Sequence, residues 1–250
     1  FFMPVDRAFH ISGFGTVLTG TAIRGSISEG ADVEIMPARL SSKVRSIQVH
    51  GENVETAYAG QRVAVNISGT SLDKVKRGDV LTDPKRFPAT GCIDVNATVL
   101  ASFTEPVEHW QRLRLHIGTT DTVARISLLD RERILPGESA PAKLLPEEDI
   151  TVSNGAHFIL RTYSPLRTIA GGIVLLHSGE RPKSKLSKAS LASFLNAIAS
   201  TESDKDRFAA FIDYKGILSA DEAILLLGME KNALEAAVSS LDAKGMIGVI

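Results

Sequence analysis

Apolar and polar residues alternate with a period of two along most of the chain from Phe1 to His177, and with a period near 3.6 after it, so strands should be followed by helices. The opening FFMPVDRAF already reads as a strand. From Phe9 the apolar positions keep odd numbers through Ile11, Val17, Thr19, Thr21 and Ile23, with GFG at 13–15 between them. That pattern predicts a strand, a tight glycine turn or bulge, and a second strand. DVEI at 32–35, KVRSIQV at 43–49 and RVAVNI at 62–67 continue the period-two runs. Gly25, Gly30, Gly51, Gly60, Gly69 and Gly78 fall between runs at intervals of about ten residues, the spacing of turns in a sandwich or barrel.

TDPKRFPAT, 82–90, carries two prolines and two basic residues and suits a connection better than a strand. Residues 1–88 are therefore expected to form one all-β barrel. A second strand-rich unit, 89–178, contains IDVNATVLA (93–101), RLRLHIG (112–118), TVARISLL (122–129), AHFILRT (156–162) and GGIVLLH (171–177). SGERPKSKLSK, 178–188, reads as a linker, and 179–250 as a helical domain. Leu191, Phe194, Leu195 and Ile198 mark one helical face, Phe208, Phe211 and Ile212 another, and Leu234, Ala237, Val238 and Leu241 a third. SADE, 219–222, is a capping box that opens a helix at Ala220. Helix, helix, the LGM turn at 227–229, helix, then GMIGVI is the order of a winged helix truncated after the first strand of its wing. The expected fold is mainly β: two β-barrels followed by an α-helical, truncated winged-helix domain.

Charge narrows the partners. Lys and Arg number 28 against 29 Asp and Glu, which provides no global field for nucleic acid or anionic membrane, so any RNA contact must be local. Cys92 is alone and cannot form an internal disulfide, and no stretch approaches the roughly 20 apolar residues of a bilayer span. A cytoplasmic protein without a membrane partner is expected. The first residues contain neither a basic n-region nor a small-residue cleavage site, so the chain is expected to begin inside a longer protein.

GFG invites a phosphate-binding reading that the surrounding residues refuse. A dinucleotide fingerprint needs a third glycine three residues after the second, yet Thr16, Val17 and Leu18 follow Gly15, and a strand comes next. No glycine-rich loop ending in Lys-Ser or Lys-Thr occurs either. The glycines instead suit positive φ and the close crossing of strands. No Ser/His/Asp, Cys/His or paired-carboxylate arrangement can be assembled, so no catalytic residue and no enzyme activity are expected. His50 and His116 lack neighbours at ligand spacing and read as turn or strand-edge histidines, so no metal is expected.

DRAFHISGFGTVLTGT, KVRSIQVHG, AYAGQRVAVNISG and KRGDVL resemble the second domain of translational GTPases, most closely that of the selenocysteine-specific elongation factors. RLHIGTTDTVARISLLD and HFILRTYSPLRTIAGGIVL resemble the third domain of the same family. The helical tail sharpens the likeness, because the general elongation factor ends after its third domain whereas bacterial members of this family continue into winged helices. The resemblance implies a middle fragment of a factor that delivers selenocysteyl-tRNA to the ribosome at recoded UGA codons. The implied fragment hydrolyses nothing and holds no cofactor, its GTP and Mg belonging to a GTPase domain before the first barrel, while further winged helices bind the mRNA hairpin.

Within that family the Asp-Arg pair of the first strand and the Arg of the GQR motif line the selenocysteyl pocket, which matches Asp6, Arg7 and Arg62 here. Arg62 opens RVAVNI on the parity opposite Val63, Val65 and Ile67, so its guanidinium should leave the core. The competing reading is a surface ion pair, worth at most about 1 kcal/mol. Arg112, Arg114 and Arg125, with Arg131 and Arg133 nearby, match the family's tRNA-facing third domain and suit phosphate contacts. Glu105, Glu108, Asp121, Asp130 and Glu132 lie among them, so a charge-balanced solvated face stays open. The tail from Pro182 holds eight Lys or Arg against nine Asp or Glu, poor for gripping a polyanion, and reads as a spacer or docking module. Two alternatives remain: the barrels of a general elongation or initiation factor, and a noncatalytic docking scaffold.

Overall fold

The structure, a computed structural model, describes residues 1–12, 15–177, 179, 185–201, 203–217 and 219–245. Gly13 and Phe14 of GFG, most of the expected linker, and the expected wing strand at 246–250 lie outside the described residues. The chain divides into two compact units: Phe1–Gly91 with Leu115–Val123 and Pro146–Val152, and Cys92–Arg114 with Ala124–Leu145 and Ser153–Ile250.

The amino-terminal barrel is built from β1 (Phe2–Ile11), β2 (Gly15–Thr21), β3 (Ser26–Ser28), β4 (Asp32–Met36), β5 (Leu40–Val49), β6 (Glu52–Val54), β7 (Thr56–Tyr58), β8 (Arg62–Ser68) and β9 (Val80–Thr82). The strand order β4-β9-β1-β2-β8-β5 closes through a β4–β5 pairing, β6 extends β5, and β3 pairs with β7 apart from the ring. Met3, Val5, Leu18, Ile35, Ile47, Val65 and Leu81 fill its interior. The connection at 82–90 is pinned, because Phe87 is buried and meets Phe2 edge to face at 4.8 Å.

One residue changes which side chains face that interior. Val5 pairs with Gly20 and Arg7 with Thr19, so Asp6 is an extra residue, a β-bulge, on β1. Before it the odd-numbered Phe1, Met3 and Val5 point into the core, whereas beyond it Ala8 packs against the core and Arg7, Phe9 and Ile11 are exposed. The odd parity expected from Phe9 onward is therefore corrected: on the return strand Leu18 and Ala22 belong to the core, and Ile23 is exposed. Small residues hid this face, since a Cβ at the intervening Gly20 would come within 2.2 Å of the Pro4 carbonyl. Gly15, with φ +96°, occupies the positive-φ backbone expected of it.

The second barrel is formed by β10 (Ile93–Val99), β12 (Arg112–Ile117), β13 (Thr120–Leu128), β15 (Ser139–Pro146), β16 (His157–Arg161) and β17 (Thr168–Leu176), closed in the order β10-β15-β13-β12-β16-β17. The short β11 (Val107–Glu108) and β14 (Arg133–Ile134) pair beside it. The pattern missed β15, SAPAKLLP, because two prolines and a lysine argue against a central strand. Closure tolerates them here: Pro141 sits opposite Asn96, and Lys143 stands opposite Asp94 with its ammonium 2.5 Å from the carboxylate. Both side chains of this pair are only 2% exposed. Burial pushes the Asp94 carboxyl upward in pKa, against the attraction of Lys143. Gly179 covers the pair so closely that a Cβ there would lie 2.9 Å from Asp94 Oδ2.

Four helices follow: α1 (Lys185–Ala199), α2 (Asp204–Lys215), α3 (Ala220–Leu227) and α4 (Lys231–Asp242). The last four residues of the expected linker, 185–188, are already helical. Leu191, Phe194, Leu195, Phe208, Phe211, Leu234 and Leu241 share one core that also takes in Leu129 and Leu176 of the barrel. Asn154 adds a polar tie by donating to the Leu226 carbonyl at 2.7 Å. The predicted capping box is present: Ser219 Oγ accepts from Glu222 N, and Glu222 accepts from Ser219 N at 3.0 Å. The Glu222 carboxyl is held below its ordinary pKa by the bond from Ser219 N first and then by the Ser219 hydroxyl, which also donates to Oε2 at 3.0 Å. Ser219→Ala is expected to lower the stability of the helical region by about 1 kcal/mol, read as an earlier midpoint in urea monitored by circular dichroism. No helix among the described residues is long and apolar enough to cross a membrane.

Candidate functional site

The Asp6 bulge and the first residue of β8 bring the expected charged residues of the amino-terminal barrel together. Strand β2 lies between β1 and β8, with Thr19 opposite Arg7 and Thr21 opposite Arg62. Across it, Arg62 grips the Asp6 carboxylate with both terminal nitrogens, Nη1 to Oδ2 at 2.5 Å and Nη2 to Oδ1 at 3.1 Å. The Thr19 hydroxyl donates to Asp6 Oδ1 at 2.9 Å and lies 3.4 Å from the Arg7 carbonyl, so it steadies carboxylate and bulge together. As expected from its parity, Arg62 leaves the core: its side chain is 52% exposed, whereas Val63, Val65 and Ile67 are buried.

The hydrogen bond from Arg62 is the chief reason the Asp6 carboxyl lies below its ordinary pKa, with the Thr19 bond and the charges of Arg62 and Arg7 acting the same way and partial burial opposing them. The bond raises Arg62 in turn. A group shifted this way contributes fully above the ordinary carboxylate pKa of about 4 and loses its contribution as the pH falls through its lowered value, so the pair is intact at neutral pH. Two guanidiniums against one carboxylate leave one net positive charge. Among the described residues the Arg7 guanidinium shows no hydrogen bond or ion pair, and it is exposed. An exposed pair contributes at most about 1 kcal/mol to folding, so its stronger consequence is electrostatic: an oriented cationic patch at a barrel surface.

In the second barrel the basic residues separate. Arg131 is occupied by carboxylates, Nε to Asp130 Oδ1 at 2.9 Å and Nη1 to Glu138 Oε2 at 3.6 Å, the charge-balanced face that composition allowed. Arg112 and Arg125 instead lie over aromatic rings, the first 5.4 Å from the centre of Tyr163 and the second 5.9 Å from that of Trp110. Arg114 is half-buried on the same outward parity of β12 as Arg112, with Leu113 and Leu115 facing the core. His50 occupies a turn, with φ +54°. His116, expected at a turn or strand edge, instead lies within β12 of the closed barrel, with Nδ1 3.7 Å from Asp121, nearer to a carboxylate than its spacing suggested. No cluster of three or more potential metal ligands occurs among the described residues. Sequence reasoning did not single out Thr19, Trp110 or Tyr163. A hydroxyl opposite a bulge carries no signal of its own, but the single tryptophan of the chain, preceding an alternating Arg-rich strand, was available as one.

Comparison with known proteins agrees with this architecture. Residues 15–82 match the family of elongation factor Tu domain 2, and residues 94–181 the β-barrel domain of selenocysteine-specific elongation factors. The chain is 34% identical over 246 residues to the selenocysteine-specific elongation factor of Desulfomicrobium baculatum, covering 98% of the chain and 38% of that relative. It is 30% identical over 226 residues to the selenocysteine-specific elongation factor of Escherichia coli, covering 89% of the chain and 34% of the relative. Elongation factor Tu 2 of Streptomyces avermitilis is 30% identical over 180 residues, 70% of the chain and 45% of that protein. The chain thus spans little more than a third of the length of the two selenocysteine-specific relatives. By both barrels and by its likeness along nearly its whole length, the chain belongs to the family of selenocysteine-specific elongation factors.

Proposed function

We propose that these residues are the part of a GTP-dependent elongation factor that holds selenocysteyl-tRNA for delivery to the ribosome at recoded UGA codons. Asp6, Arg7 and Arg62 receive the selenocysteyl side chain, and Arg112, Arg114 and Arg125 meet the tRNA backbone. GTP and Mg are held by a GTPase domain preceding the first barrel, the mRNA hairpin by winged helices after the last helix described, and the barrels themselves carry no catalytic group. The observation that carries this reading is the Asp6–Arg62 fork with Arg7 beside it, an exposed constellation with one surplus positive charge.

That surplus suits a monoanion. A selenol is more acidic than a thiol and is ionised at neutral pH, whereas the hydroxyl of serine is not. The reading is tested by equilibrium binding of selenocysteyl-, cysteinyl- and seryl-tRNA to the GTP-bound factor. The selenocysteyl form is expected to bind at least tenfold more tightly than the seryl form, about 1.4 kcal/mol. Equal affinity for all three would leave the patch as a surface ion pair. A general elongation factor is the weaker reading, since likeness to elongation factor Tu 2 covers 70% of the chain against 98% for the first selenocysteine-specific relative.

A further inference from the structure

Two aromatic rings stand exposed on the second barrel, each beside an arginine. Trp110 is 48% exposed and Tyr163 is 58% exposed. Strand β12 is flanked by β13 and β16, which brings one strip together: Trp110 just before β12, Arg125 on β13, Arg112 at the start of β12, and Tyr163 just beyond the end of β16. Arg125 lies over the Trp110 ring and also donates from Nη1 to the Trp110 carbonyl at 3.2 Å. Arg112 lies over the ring of Tyr163.

The backbone is set to hold these rings outward. Trp110 has φ +68°, a conformation that costs a bulky residue free energy, and it is locked there by its N–H donating to the Ile126 carbonyl at 2.7 Å. The turn bearing Tyr163 is braced by the Thr162 hydroxyl, which donates to the Pro165 carbonyl and accepts from Arg167 N at 2.9 Å. A strained, braced presentation of exposed rings is not what packing requires, because neither ring is in the core.

From this juxtaposition we infer that Trp110 and Tyr163 form a stacking platform for unpaired bases of an RNA, with Arg112 and Arg125 orienting the rings and meeting the adjoining phosphates. Every base offers a π-face, guanidinium planes stack on bases as rings do, and phosphates are attracted to the two guanidiniums. A protein partner is the poorer match, since each exposed ring carries a guanidinium over it. Glu108 and Glu132 are exposed near Trp110 and limit the cationic surface on that side, so the RNA strand runs from Trp110 across Arg112 to Tyr163. The inference rests on the reading of this barrel as RNA-facing, and is independent of the selenocysteyl pocket.

The test uses the chain itself and RNA without an aminoacyl group. The chain has one tryptophan, so its fluorescence reports on this strip alone. A short unstructured single-stranded RNA is expected to quench that fluorescence saturably, and a duplex of equal length is not. Tyr163→Ala should weaken binding of the labelled single strand, measured by anisotropy, by about tenfold, and Trp110→Ala by a similar factor. Tyr163→Phe should retain affinity, with circular dichroism showing every variant folded. Equal quenching by duplex and single strand, or a Tyr163→Ala variant that binds as well as the parent, would overturn the platform and leave only phosphate contacts. Absence of quenching by either RNA would overturn it outright. Failure here while selenocysteyl-tRNA is still discriminated from seryl-tRNA would leave the proposed function standing.

Discussion

Replacement of Lys143 by alanine is expected to destabilise the second unit by about 3–5 kcal/mol, the largest effect of any single change considered. The reason is the desolvated Asp94 left behind, because its carboxylate has Lys143 at 2.5 Å and both side chains are sealed to 2% exposure. Burial already pushes the Asp94 carboxyl upward, so removal of the ammonium would drive it to take up a proton rather than stay charged. The pair as a whole is a different matter. Two charges removed from water recover little more than their desolvation, and a well-packed apolar pair of similar volume is often neutral or stabilising by about 1–4 kcal/mol. Asp94→Leu combined with Lys143→Met should therefore recover most of the loss of Lys143→Ala. Urea denaturation of the parent and the two variants decides the point: if the double variant is as unstable as the single, the pair contributes through its charges and not through the space it fills.

The second large effect is functional. In Arg62→Ala the affinity of the GTP-bound factor for selenocysteyl-tRNA is expected to fall tenfold or more, about 1.4 kcal/mol or above, with seryl-tRNA binding nearly unchanged. A hydrogen bond to a charged group contributes about 1.5–3 kcal/mol against about 1 kcal/mol for a neutral one, so the selenolate gains where the hydroxyl does not. Arg62 spends two of its donors on Asp6, and in the proposed pocket the others would meet the ligand, while Thr19 and the bulge hold the carboxylate in register with the fork. Lysine at this position would keep the charge but lose the fork, so Arg62→Lys should recover only part of the discrimination. Parallel loss of both affinities would make Arg62 a general tRNA contact and move the selenolate site elsewhere.

Much of the fold was legible. The period-two runs located most of the long strands of both barrels, and the capping box at Ser219 opened α3 at the expected residue. Local patterning failed where a non-local constraint decided the outcome. Strand β15 carries Pro141, Pro146 and Lys143, each unfavourable in a central strand, and forms because barrel closure and the cross-strand Asp94 supply what the segment lacks. Parity failed at Asp6 because a bulge leaves no mark in alternation beyond the inversion it causes. The candidate site was visible only in part: Arg62 showed its outward parity, but nothing in the spacing of 6 and 62 could reveal that the two side chains meet across β2. That came from the resemblance, and the structure supplies the geometry. Trp110 and Tyr163 went unnoticed because exposed aromatics in a barrel look, in sequence, like core residues.

The bulge at Asp6 makes one residue both the acid that meets Arg62 and the extra step at which the inward face passes from odd to even numbers. Substitution there, such as Asp6→Asn, would alter charge and leave phase intact. Deletion would remove the extra step and the acid together: Val5 and Arg7 already pair with the adjacent Gly20 and Thr19, so the ladder would run on without a bulge, Arg7 and Phe9 staying outward and Ala8 inward, but with no carboxylate left to meet Arg62. The bulge therefore uncouples this position from the packing of the barrel: the group set beside Arg62 can be exchanged, or even lost, on a frame whose inward face stays the same.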